Sequence, residues 1–118
     1  MTEANTDDPL IQVFGGVMIG SARVMGIDVK MRTLTSSEVQ DILAQCQSIQ
    51  DTPLRLHKEM SLTLAYSLLE VAGNALPELI GERVTLIGSW RQTIIDKLAT
   101  AYGELTQKER LLIDELKN

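Results

Sequence analysis

The chain has 118 residues, with 11 basic against 16 acidic side chains and a net charge of −5. One domain is the expectation at this length, with a core large enough to stand without staples. The acidic balance argues against a nucleic-acid binder, because phosphate neutralisation dominates such affinity, and suits a basic or apolar protein partner instead.

Cys46 is the one cysteine, which excludes an internal disulfide and favours a reducing compartment. No apolar run approaches the 18 or so residues of a membrane span, so no contact with a membrane is expected. Residues 1–8 are polar and acidic, the opposite of a secretory leader's basic start, and read as a flexible acidic tail. The single domain is expected over residues 9–118, divided into a β-segment at 9–34 and a helical part at 35–118.

Within the β-segment, Leu10-Ile11-Gln12-Val13-Phe14 and Val17-Met18-Ile19 flank Gly15-Gly16. Two glycines between apolar runs supply the positive φ angles of a tight hairpin turn. Gly20-Ser21 offers a second turn. Residues 27–32 alternate strictly, with Ile27, Val29 and Met31 on one face and Asp28, Lys30 and Arg32 on the other. That is a half-buried strand. Val24 is out of phase with Ile27, so a bulge at Gly26 is expected. A hairpin or meander this small needs a covering helix or sheet.

Thr35-Ser36-Ser37-Glu38 is a capping box opening a helix to about Gln47, with Val39, Ile42, Leu43 and Cys46 on one side. Thr52-Pro53 starts a second helix, which Gly73-Asn74 is expected to end as a left-handed cap. The stretch 82–105 carries an apolar stripe at Val84, Ile87, Trp90, Ile94/Ile95, Leu98, Tyr102 and Leu105. Its spacing predicts one long helix, roughly 36 Å at 1.5 Å per residue, on which the shorter elements pack. Gly88 inside it suggests close approach of another helix, with a kink as the alternative. Thr106-Gln107-Lys108-Glu109 repeats the capping pattern and suggests a last helix, unless the long one runs on. The fold class is therefore α+β, mostly α: a short N-terminal antiparallel hairpin or meander followed by a bundle of three to four helices.

No constellation for catalysis stands out. His57, the single histidine, sits beside Lys58 and Glu59 with no nucleophile motif near it. One His and one Cys do not make a zinc site, and Gly15, Gly16 and Gly20 match no phosphate-binding pattern. No catalytic, metal or cofactor-binding residue is assigned, and no enzyme activity is expected. The candidate protein-binding residues are Ile27, Val29, Met31, Trp90 and Ile94. Trp90 flanks the apolar stripe, which favours core packing, with an interface anchor beside Arg91 as the alternative, and the methionines at 18, 25 and 31 could form an adaptable surface.

The join Val29-Lys30-Met31-Arg32-Thr33-Leu34-Thr35-Ser36-Ser37-Glu38 resembles the strand-to-helix entry of small assembly proteins of tailed bacteriophages. The groups concerned are the tail assembly chaperones and the small baseplate- or hub-assembly proteins. The pattern of Glu82-Arg83, Ile87, Trp90, Ile94-Ile95-Asp96, Leu98 and Tyr102-Gly103-Glu104-Leu105 resembles their helical half, so the likeness spans residues 27–105. It implies a non-catalytic tail or baseplate protein, working in the host cytoplasm during assembly or as part of the virion tail. Its partners would be other tail or baseplate proteins, the tape-measure protein among them, or further copies of itself. The competing expectation is a small acidic regulator, phage- or bacterium-encoded, that inhibits a basic host protein.

Overall fold

The computed structural model describes residues 16–117, with side chains described for 16–115. Four antiparallel strands lie in the order β1 (Ile19–Val24), β2 (Ile27–Arg32), β3 (Leu68–Val71) and β4 (Asn74–Ala75). The helices are α1 (Ser36–Cys46), α2 (Thr52–Ser67), α3 (Ile80–Gly88) and α4 (Gln92–Lys117). The expected architecture, an N-terminal antiparallel hairpin followed by helices, is the one observed.

The sheet is built from two hairpins with the same turn chemistry. Met25 and Gly26 join β1 to β2 with φ of 52° and 81°, and Ala72 and Gly73 join β3 to β4 with φ of 55° and 81°. Positive φ at both central residues matches the right-handed twist of the strands, and glycine takes the second position without strain. The expected turn at Gly20-Ser21 and the bulge at Gly26 are thus corrected. Residues 20 and 21 lie inside β1, and Gly26 is a turn residue. The hairpin expected around Gly15-Gly16 lies outside the described residues except at its final strand.

A bulge does occur, but between β2 and β3, where the register shifts at Lys30/Met31 and Met31 pairs with Leu68. Leu69 is the extra residue, and its carbonyl accepts the Leu76 N–H. There the chain passes from α2 to β3 without a loop. The second helix therefore stops at Ser67, short of the expected Gly73. Arg83 of α3 holds the elbow. Its Nη1 donates to the carbonyls of Ala65 (3.1 Å) and Leu68 (3.0 Å), and its Nε donates to that of Pro77. A cation on the free carbonyls at a helix C-terminus satisfies groups that the abrupt ending would otherwise leave without partners.

The stripe at 82–105 is core, as its spacing predicts, but it runs through two helices. Ile87, Ile95, Leu98 and Leu105 are buried among Val24, Val29, Met31, Leu64 and Leu68. The chain breaks at residues 89–91: Ser89 N–H and Trp90 N–H bond back to Leu86 and Ile87, and Ile94 and Ile95 restart on the Arg91 carbonyl. A Cβ placed on Gly88 would meet nothing within 4 Å, so the glycine marks the helix end and not a close approach. Past residue 105 no second break occurs, and α4 runs on to Lys117.

A second, smaller cluster joins α1 to α2 through Ile42, Cys46 and Leu62. The capping box forms as expected, with Glu38 N–H on the Thr35 hydroxyl (3.3 Å) and Thr35 N–H on Glu38 Oε1 (2.9 Å). Val39 and Leu43, expected on the packed side of α1, are exposed.

Candidate functional site

β1 is the outer strand of the described sheet, and α4 covers its inner face. Between them runs an open groove of about 860 Å³. Gly20 and Ala22 of β1 form its floor, and Ala101 and Leu105 of α4 its apolar wall. Gly20 lets α4 pack closely here. A Cβ at that position would stand 2.7 Å from Leu105 Cδ1, so the leucine methyl occupies the space a side chain would take. Lys97, Glu104 and Lys108 rim the α4 side, with Arg23 on the strand. Neither lysine has an ion-pair partner among the described residues. The groove is therefore basic on balance in an acidic chain.

The register says which backbone groups face outward. A two-residue loop makes Val24 and Ile27 the closing hydrogen-bonded pair of the hairpin. At the other end Met18 also faces β2, for its carbonyl accepts the Thr33 N–H at 2.9 Å and its N–H donates to the Thr33 hydroxyl at 2.8 Å. Residues 18, 20, 22 and 24 thus turn their polar groups to β2. Ile19, Ser21 and Arg23 turn theirs away, toward no strand among the described residues. Such an edge is a template for pairing.

A polar network fixes α4 against the start of this edge. The buried Thr33 hydroxyl, besides accepting from Met18, donates to Glu109 Oε2 at 2.7 Å. The adjacent Arg32 forms a fork with Glu38: Nη1 to Oε1 at 2.8 Å and Nη2 to Oε2 at 2.6 Å. The guanidinium holds the Glu38 carboxyl down at about 2, helped by the Thr35 N–H and opposed by partial burial. The hydrogen bond to Glu38 likewise raises Arg32. Burial raises the neighbouring Tyr102 phenol, and the Glu109 charge adds to it. Arg32, Thr33, Glu38, Arg83 and Glu109 were not singled out from sequence as a set. Thr33 and Glu109 are 76 positions apart, and no local pattern links them.

The five candidate contacts do not form one surface. Val29 (4% exposed) and Met31 (2%) are enclosed in the core, because their face of β2 is the one the helices cover. That removes them as surface contacts of the folded chain. Ile27, at 40%, is exposed beside the first turn. Trp90 and Ile94 are half-buried against the main core, at the junction of α3 and α4. Met25 is exposed at the turn and Met18 lines the groove, so two of the three methionines expected to adapt to a partner are accessible.

The remaining reactive side chains have ordinary surroundings. Cys46 is fully buried, and desolvation pushes its thiol up, away from the thiolate needed for chemistry. His57 Nε2 lies 3.1 Å from Gln92 Oε1 at the surface. Among the described residues, no group of three or more His, Cys, Asp or Glu converges as a metal site. No helix there is long and apolar enough to cross a membrane. Compared with family models, with curated proteins and with solved structures, the chain matches none.

Proposed function

We propose that the protein acts without catalysis, as a phage tail or baseplate assembly protein that binds an extended segment of a partner by adding it as a strand to β1. The observation that carries the reading is the outward row at Ile19, Ser21 and Arg23 beside the groove under α4. Main-chain bonds along such an edge supply affinity, and a flanking helix supplies side-chain selection. The resemblance of residues 29–38 supports the tail setting, and the strand, Arg32–Glu38 fork and capped helix give that stretch a rigid form. Ile27, Trp90 and Ile94 remain candidate secondary contacts.

The regulator reading has less support. Asp28, Glu38, Glu59 and Glu70 are engaged by Arg23, Arg32, Arg55 and Lys30, and these matched pairs are spread over the sheet, α1 and α2 instead of forming one acidic face. Pull-down against purified tail components, tape-measure protein included, tests the proposal. Capture of one of them is expected. Capture of none, with binding to a basic host protein that weakens steeply with added salt, would favour the regulator.

A further inference from the structure

We propose that the groove beside β1 selects a partner segment of one chemical pattern: a carboxylate, two apolar residues and a second carboxylate, at alternate positions of an extended strand. The proposal deepens the reading of β1 as a site of strand addition, and rests on it.

Strand geometry sets the spacing. A strand added to β1 bonds to Ile19, Ser21 and Arg23, so its residues opposite Met18, Gly20, Ala22 and Val24 turn their side chains to the α4 side. Inward side chains therefore recur at every second position. Opposite Gly20 and Ala22 they lie beside β1 residues with little or no side chain, against the wall of Ala101 and Leu105. Those two central places suit apolar side chains. Glu104 rims the same stretch, and its charge disfavours a carboxylate there.

Helix geometry sets the charges at the two ends. α4 runs antiparallel to β1: Leu105 stands on Gly20, and Glu109 reaches Thr33, which is bonded to Met18. Lys108 therefore lies at the Met18 end of the groove. Lys97, about two turns before Leu105, lies at the Val24 end. The lysines are 11 positions apart, about 16 Å along the helix. Inward residues opposite Met18 and Val24 are about 20 Å apart, and a lysine's flexible stem covers the difference. Both lysines are exposed, and neither is paired among the described residues. Arg23 differs, because Asp28 already stands 3.9 Å from it. The pattern reads the same in either direction, so it suits a parallel or an antiparallel addition. A net charge of −5 opposes an acidic ligand at long range. Screening beyond about 8 Å at physiological ionic strength leaves the local lysines to decide.

NMR titration of the full chain with three nine-residue peptides tests the selection. Each peptide has threonine at its odd positions and valine at the fourth and sixth. The second and eighth are both aspartate, both asparagine or both lysine. The aspartate peptide is expected to bind about tenfold tighter than the lysine peptide, with asparagine between, and to shift the amides of Ile19, Ser21 and Arg23. The double variant Lys97→Glu, Lys108→Glu should reverse that order. Equal affinities, an order that survives the double variant, or no binding by any of the three would overturn the proposal. Equal affinities with the three amides shifted would leave strand addition standing. Binding of the aspartate peptide with those amides unmoved would overturn strand addition itself, and the proposal with it.

Discussion

The two edges of the described sheet are managed in opposite ways. β4 is two residues long, Asn74–Ala75, and the chain leaves it through Leu76 and Pro77. Shortness and a nearby proline are standard means of keeping an edge from pairing. β1 has six residues, carries a glycine near its start, and among the described residues looks onto a groove instead of a covering element. Both edges adjoin turns of the same type, so the difference does not come from hairpin chemistry. It comes from what lies beyond each edge: Arg83 clamps the chain around β4, whereas Thr33 and Glu109 prop α4 beside β1, and no strand among the described residues pairs with its outward groups.

The largest expected effect breaks the β4 side. Arg83→Met removes the donor to three carbonyls at the α2–β3 elbow, and should cost about 3 kcal/mol in urea denaturation. Glu38→Gln acts at the far end of β2 from the first turn and should cost about 2 kcal/mol at neutral pH. This carboxyl sits at about 2 when folded, against an ordinary value of 4.5. Its contribution, up to about 3 kcal/mol, is present above pH 4.5 and fades as pH falls toward 2. The variant should therefore lose less stability than the parent chain between pH 5 and about 3, and equal loss in both would refute the assignment.

Thr33→Val should cost about 1–2 kcal/mol, because Met18 N–H and Glu109 both lose a partner at a buried hydroxyl. It sharpens the comparison, since it should also speed exchange of the β1 amides while those of β3 hold. The smallest effect is expected at Gly20→Ala. The added methyl meets only the movable end of Leu105, so about 1 kcal/mol or less of destabilisation should accompany a partly filled groove.

Where local chemistry decides the structure, the sequence was readable. The alternation at 27–32 and the capping box at 35–38 form as their residues dictate. Where distant partners decide, it was not. Leu68–Val71 continues the apolar pattern of α2, and only pairing with β2 and the reach of Arg83 make it a strand. Gly20 reads as a turn residue until Leu105, 85 positions later, is seen to fill the space above it. The stripe across 82–105 keeps its period through the break at 89–91, so periodicity alone could not reveal two helices. The candidate contacts show the same limit. Val29 and Met31 were correctly grouped on one face, but whether that face looks inward depends on helices placed by the rest of the chain.

The contrast between the edges is tested most directly by two proline variants assayed for capture of purified tail components. Ser21 and Ala75 both turn their N–H away from the ladder, so proline at either site spares the sheet's own hydrogen bonds. Ser21→Pro should weaken capture at least about tenfold, as expected for the loss of a central main-chain bond and of room beside it, while Ala75→Pro leaves capture unchanged. Equal capture by the unaltered chain and a folded Ser21→Pro variant would contradict strand addition at β1.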